Sequence, residues 1–353
     1  MSLQTGLLLN IGHPQKGADP RNIVELLEVP LCPVRPRVHE HLCADHAQFI
    51  ATLYGYNSSM PWRDRASNDL AVIQQLFPEI HLKDEWLAMA AWLSFTHFTD
   101  EIARDQVDEE ALHALGLARE LFRVGYRKAE VVTCPPPTRK CSFTERLKVS
   151  SEILQRQLES LLPTKVLPMV YQRISEVYTA WIEEIRFREN QRPDTKLYLN
   201  LKRQGTSIGP WLSMSGNLYG TGQHESLMKL LTDHVTTCLI LQKDMISLQD
   251  HLTAGDFMNY VVMEQASSSM SKAHATFATI ENYANGVKEA ASLHNHVSHL
   301  ARVEYQQIDI LGTADEKRLA RSIYYLLSTH LQLIWKIECR RTTRHTASGT
   351  DGV

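Results

Sequence analysis

Apolar side chains recur at intervals of three and four along nearly the whole of this 353-residue chain, and strict apolar-polar alternation hardly occurs. A chain with that period must bury helix faces against one another, because each helix offers one apolar stripe. The clearest stripes run from His39 to Tyr54, Asp84 to Asp105, Glu109 to Tyr126, Phe143 to Leu162, Leu167 to Glu189, Glu225 to His251, Ser271 to Leu300 and Ala314 to Arg341. An all-α fold follows. Local signals agree: Ser142 and Glu145 have the spacing of a capping box, and Asp84 can cap the helix that holds Trp86 to Phe98. Breakers fall between the stripes, at Pro61, in the Cys134-Pro135-Pro136-Pro137 loop, at Pro193 and over 205–210. No repeat of 20 to 50 residues stands out, which argues against a solenoid. The expected organisation is an irregular arm over 1–30, one helical domain over 31–345 and a flexible tail over 346–353.

With 43% hydrophobic and 22% charged residues, the chain has enough apolar surface for a large core. A net charge of -3 and no basic stripe argue against nucleic acid as a partner. Met1 to Gly12 has no basic leader pattern, and no stretch approaches the roughly 20 apolar residues of a membrane span, so a cytoplasmic protein is expected. The six cysteines, at 32, 43, 134, 141, 238 and 339, show neither Cys-x-x-Cys pairing nor zinc-like spacing and are expected to be reduced thiols.

Two segments carry chemistry. In Lys243-Asp244-Met245-Ile246-Ser247-Leu248-Gln249-Asp250-His251, positions 243, 247 and 251 are four apart, so on one continuous helix they share a face. Lys243 on that face would meet an anion directly. In Phe95-Thr96-His97-Phe98-Thr99-Asp100-Glu101-Ile102-Ala103-Arg104-Asp105, an apolar helix ends in carboxylates. Glu101 and Asp105 are a like-charged pair four apart, which a bound cation would turn from repulsive to favourable. The plain alternatives are a solvated helix face at the first segment and an Asp100–Arg104 surface pair at the second.

Together these segments resemble the two metal-binding motifs of the class I terpene synthases. The second motif of that family is Asn-Asp-(Leu/Ile)-x-Ser-x-x-x-Glu followed by Gly-Asp-x-x-Asn-x-Val. Here Asp244, Ser247, Gly255, Asp256 and Asn259 stand in register, while Lys243 and His251 replace the first and third ligands. Asp100 and Glu101 match the start of the aspartate-rich motif, 143 residues before the second. The segment Trp181-Ile182-Glu183-Glu184-Ile185-Arg186, then Arg192-Pro193 to Tyr198 and Lys202-Arg203, resembles the diphosphate-sensing stretch ahead of a helix break at Gly205 to Gly209. Trp335 and Arg340-Arg341-Thr342 resemble the Arg-Tyr end motif without its tyrosine.

The resemblance spans residues 35 to 342 and implies a helical bundle around an apolar cavity. It implies a cyclase that ionises a prenyl diphosphate, farnesyl diphosphate by default, to a sesquiterpene. Metal would sit at Asp100, with Glu101, Asp105 and Ser247 as further ligands; Lys202, Arg203, Lys243 and Arg341 would bind diphosphate. Asp100, Lys243 and Arg341 are the catalytic expectations, and Trp92, Phe95, Phe98, Tyr178, Trp211 and Trp335 are expected to wall the cavity or to be core. Fewer than three Mg²⁺ ions are expected, unless Asp244 or Asp250 turns in to hold one. A neutral His251 is expected if no carboxylate pairs with it. The alternatives are a transferase that passes the prenyl cation to a second nucleophile, with His97 or His251 as base, and a non-catalytic relative. A homodimer is compatible with the resemblance.

Overall fold

A computed structural model describes residues 26–30, 40–55, 62–103, 108–123, 141–190, 193–215, 223–270 and 280–348; the side chains of 335–348 are outside the description. Among the described residues there are helices and no strand. In chain order they are α1 (Glu40–Tyr54), α2 (Trp62–Leu76), α3 (Lys83–Ala103), α4 (Asp108–Arg123), α5 (Phe143–Leu161), α6 (Leu167–Asn190), α7 (Thr195–Gly205), α8 (Ile208–Met214), α9 (Glu225–Ile246), α10 (Leu248–Ala254), α11 (Tyr260–Met270), α12 (Ile280–Leu311) and α13 (Ala314–Ser348).

The chain divides into two compact units. The first takes 34–190 and 204–225, and its central element is α3. Leu87 to Phe95 are all buried without a break, the pattern of a helix enclosed on every side. It packs against α1, α2, α5 and α8, while α4 lies against α5 and α6. The second unit takes 191–203 and 226–353, together with the 26–30 segment. Here α12 packs against α11 and α13.

Of the two caps the sequence predicts, the one at Ser142 forms and Asp84 lies one residue inside its helix instead. Ser142 Oγ accepts from the Glu145 N–H at 3.2 Å, and Glu145 Oε2 accepts from the Ser142 N–H at 2.9 Å. Thr313 and Glu316 make the same reciprocal pair at the start of α13. The α3 helix begins at Lys83, and Asp84 lies in its first turn, where a carboxylate suits the helix dipole.

Three elements depart from the periodicity. The predicted single helix from Glu225 to His251 is two, α9 and α10, separated at Ser247 (φ -89°, ψ 9°). The stripe expected to stop at Leu300 continues to Leu311 through buried Ala301, Glu304 and Ile308; its predicted start, 271–279, is outside the described residues. The sequence period also passes over α2, whose buried face is Ala66, Asp69, Leu70 and Ile73. A carboxylate in the middle of that stripe hides it.

Candidate functional site

In the first unit, the C-terminal turn of α3 brings Asp100 into a pocket of about 140 Å³, lined also by Thr99, Asp108, Trp181, Glu184 and Arg188. Glu101, one residue on, turns elsewhere. Its Oε1 receives both terminal nitrogens of Arg65 at 3.3 Å, and the Arg65 guanidinium lies 4.6 Å from the centre of the Tyr54 ring. Asp105 is outside the described residues. His97 lies near Asp69, Arg65 and Glu101; burial pushes its imidazole below the ordinary histidine range.

Below it, Ser94 donates to Asp69 at 2.5 Å and meets His46 Nε2 at 3.0 Å. Burial alone would raise the Asp69 carboxyl, yet its bonds to His46 and Ser94 hold it below the usual range. His46 and Ser94 are fully enclosed, which makes this trio a polar tie between α1, α2 and α3 rather than a hydrolytic triad.

Trp92, Phe95 and Tyr178 come together with Trp181, which the sequence places in the diphosphate-sensing segment rather than in the wall. Trp92 stacks on Phe95 and Trp181 at 5.7 and 6.4 Å between ring centres, and Tyr178 meets Trp181 edge-on at 5.5 Å. Of this group Trp181 reaches the pocket beside Asp100. Phe98 packs against Tyr54, and Trp211 packs against Phe77 and donates to Met89 O at 3.0 Å. The side chain of Trp335 is outside the described residues.

The same α6 face anchors the helix break. Trp181 Nε1 donates to Gly205 O at 3.1 Å, and a β-carbon at Gly205 would lie 2.8 Å from Glu184 Oε1. The break falls at 206–207, inside the stretch expected from the sequence. Trp181 and Glu184 fall in the segment whose resemblance ties it to this break, whereas Arg188 lies outside the residues quoted for it.

In the second unit, the segment Lys243–His251 separates into a buried frame and an outer face. Asp244 is buried, and its Oδ2 accepts from the Tyr198 hydroxyl at 2.7 Å and the Tyr260 N–H at 2.8 Å. Asn259 Nδ2 donates to Asp244 O at 2.7 Å, and Asn259 Oδ1 accepts from the Val261 N–H. Burial raises the Asp244 carboxyl, and the bonds from Tyr198 and Tyr260 oppose that rise. The rescue that sequence leaves open, Asp244 turning in to hold a metal, is therefore corrected: this carboxylate fastens α9 to α7 and to the start of α11.

Gly255 closes α10 in the left-handed region (φ 64°), and Asp256 Oδ1 accepts from the Met258 N–H at 3.0 Å. Lys243 is exposed; Ser247 and His251 are half-buried. Ser247 Oγ donates to Lys243 O at 2.8 Å, a back-bond of the kind that bends helices. His251 Nδ1 lies 3.5 Å from Asp256 Oδ2, so the condition for expecting a neutral His251, no carboxylate partner, is not met. Lys202, half-buried on α7, places Nζ 5.7 Å from the centre of the Tyr198 ring; Arg203 follows it, also half-buried. The α13 helix continues through Arg341, whose side chain is outside the described residues.

No protein-family model matches the chain, and no curated protein matches it in sequence. Solved structures do. Linalool/nerolidol synthase from Streptomyces clavuligerus aligns over 87% of this chain and 99% of its own, with a TM-score of 0.63 at 13% identity. A structure described as "Hedycaryol apo" aligns over 88% and 98%, with a TM-score of 0.60 at 14% identity. The SVS_A2 protein from ancestral sequence reconstruction aligns over 90% of each chain, with a TM-score of 0.62 at 13% identity.

The chain has the class I terpene synthase fold. Within 243–259, Asp244 and Asn259 close hydrogen bonds inside the unit, whereas Lys243 is exposed and His251 half-buried. Free thiols occur at Cys43, Cys141 and Cys238; Cys32, Cys134 and the Cys339 side chain are outside the described residues. Among the described residues no helix is long and apolar enough to cross a membrane.

Proposed function

We propose that this protein is a terpene cyclase that ionises a prenyl diphosphate, farnesyl diphosphate by default, releases diphosphate and converts the cation to a sesquiterpene. The observation that carries the reading is the state of the second motif. Asp244 and Asn259 of its frame are buried and hydrogen-bonded, while the position of its first metal ligand holds an exposed lysine. The fold supports the same reading: the Streptomyces clavuligerus linalool/nerolidol synthase has been crystallised with 2-fluorogeranyl diphosphate.

Ionisation needs charge stabilisation where the leaving diphosphate accumulates it. Lys243 supplies a fixed ammonium in place of a metal, and Lys202, Arg203 and Arg341 are further cationic donors. Asp100 and Asp108 offer carboxylate oxygens in one pocket, and Mg²⁺ is commonly held by one or two carboxylates with water and substrate phosphate completing its shell. A magnesium ion bound there would neutralise diphosphate oxygens. Glu101 is engaged with Arg65, Asp105 is outside the described residues, and among the described residues no cluster of three acidic, histidine or cysteine side chains is placed to hold a metal. Because Lys243 and His251 replace two ligand positions, fewer ions than the family's three are expected, centred on Asp100. The buried rings of Trp92, Phe95, Tyr178 and Trp181 supply faces that tolerate passing positive charge.

The test is incubation of the purified protein with geranyl, farnesyl and geranylgeranyl diphosphates, with magnesium and with chelator. Diphosphate release is followed beside gas chromatography and mass spectrometry of the organic extract. Magnesium-dependent hydrocarbon or alcohol from one substrate is expected, with a loss of at least about a hundredfold in turnover for Asp100→Ala and for Lys243→Ala. Unchanged turnover in both variants would sink the assignment. Prenyl product only with an added nucleophile would favour the transferase, and binding without release would favour a non-catalytic relative.

A further inference from the structure

The second unit also holds a buried polar chain that the ionisation chemistry does not use, and it ends on residues 26–28. Gln242, fully buried on α9, donates from Nε2 to Leu327 O at 3.0 Å, and the same nitrogen lies 3.1 Å from His294 Nε2. A backbone carbonyl only accepts, so Leu327 determines which end of the Gln242 amide is nitrogen. Gln242 Oε1 then faces His330 Nδ1 at 2.8 Å, and that nitrogen carries the proton. His294, which meets an N–H with its Nε2, accepts there and carries its own proton on Nδ1.

That proton meets Asn295 Oδ1 at 3.0 Å. The Asn295 amide is aimed by it: the oxygen accepts from the Glu28 N–H and the nitrogen donates to Leu26 O, both at 2.9 Å. Leu26 O is a second group that only accepts, so the chain traced from either end gives every member the same orientation. Ser298, three residues on and on the same face of α12, donates from Oγ to Glu28 O at 3.1 Å. Between the bonded groups Leu27 is buried, while Leu26 and Glu28 are exposed.

This contact differs from the packing of helices around it. The α12 helix engages the segment through backbone groups and one side chain, so the choice of residue matters at Leu27 and little on either side. The groups that engage it are also oriented from within, because Leu327 fixes Asn295 through Gln242 and His294, and such preorganisation lowers the ordering cost of docking. The segment itself is held by three hydrogen bonds and one buried side chain among the described residues. A piece of chain with so few buried contacts opens locally, ahead of the helices beneath it.

We propose that Asn295 and Ser298 form a docking site on α12 for a backbone segment, that residues 26–28 of the same chain occupy it as a strap, and that this strap opens and closes without unfolding of the unit. His294 and Gln242 are the positioning residues of the site. Neither exchanges a hydrogen bond with 26–28; they act by holding the Asn295 oxygen towards the Glu28 N–H. The arrangement requires an uncharged His294, since an Nε2–H would face the N–H of Gln242. Burial pushes the imidazole below the ordinary histidine range, and the Asn295 bond and the Glu28 charge oppose that shift without cancelling it.

The experiment follows hydrogen exchange of the full-length protein at pH 7, amide by amide, by NMR. In the parent the Glu28 N–H is expected to be protected at least about tenfold over an unstructured chain, yet to exchange at least about tenfold faster than the N–H groups of Val297 and Ala301 within α12. His294→Gln removes the Nδ1 proton and leaves Asn295 and Ser298 in place. It is expected to speed Glu28 exchange about fivefold, with Val297 and Ala301 within about twofold of the parent. An unchanged Glu28 rate, or equal acceleration at all three, overturns the positioning role. Glu28 exchange as slow as that of Ala301 overturns the strap, and protection that rises with protein concentration makes a second copy the occupant and overturns docking within one chain. Should His294→Gln not fold, Ser298→Ala tests the docking, with at least about threefold faster exchange expected at Glu28 and an unchanged rate overturning it. The ¹⁵N spectrum of the parent then tests the positioning: a neutral Nδ1–H tautomer at His294 is expected, and a charged ring or an Nε2–H tautomer overturns it.

Discussion

At the scale of the residue, Asp244 and Lys243 are neighbours with opposite duties. Asp244 is buried and answers two donors that have no water to turn to, the Tyr198 hydroxyl and the Tyr260 N–H. Asp244→Ala leaves both without their acceptor, and a loss of about 3 kcal/mol or more is expected, read as a lower urea midpoint with an unchanged slope. Lys243→Ala, on an exposed position, should stay within about 0.5 kcal/mol of the parent in the same titration. Equal destabilisation by the two would show that the division between frame and outer face is misdrawn. Glu101 teaches the same lesson: its charge was legible, but Arg65, thirty-six residues earlier, was not legible as its partner.

At the scale of the element, the Thr206–Ser207 break is set by what α6 presents to it. Trp181 holds the Gly205 carbonyl, and Glu184 occupies the space a side chain would need. In Gly205→Ala the new methyl meets Glu184 Oε1 at 2.8 Å, so this buried carboxylate has to shift within the Asp100 pocket. About 1 kcal/mol of destabilisation is expected, against the small gain that a Gly to Ala change gives in an unobstructed helix. A raised melting temperature would contradict the close approach. The break itself was legible from its Gly, Ser and Pro content, whereas its anchoring was not, because both anchors lie on another helix.

At the scale of the whole molecule, His97, His294 and His330 are all held below the ordinary histidine range, with burial first among the causes. Unfolding lets each take up a proton near pH 6.5, so below that value the unfolded chain binds more protons than the folded one. Stability is then full above about pH 6.5 and falls as pH drops towards the folded-state values. For His330, lowered to about 4, the loss reaches about 3 kcal/mol. Asp244, raised by burial, acts in the opposite sense, since its folded form holds a proton more tightly. The clean measurement is therefore a difference: melting temperature from pH 7 to pH 4 for the parent and His330→Asn, with a shallower decline expected in the variant. Parallel curves would place His330 in an environment that does not suppress its charge.

The sequence by itself determined the helical class, the position of most helices, their caps and breakers, and the two segments where charge gathers at the end of an apolar stripe. These are local matters, governed by residues within a turn or two of each other, and periodicity reports them directly. The structure alone decided that Asp244 is a structural carboxylate and that Glu101 is tied to Arg65. It also decided that Lys243 and His251 stand on two helices rather than one, and that His330 is held in a single tautomer. All but the break at Ser247 depend on a partner far along the chain, 46 residues for Tyr198 and Asp244 and 88 for Gln242 and His330, and no spacing rule within a helix can see that far.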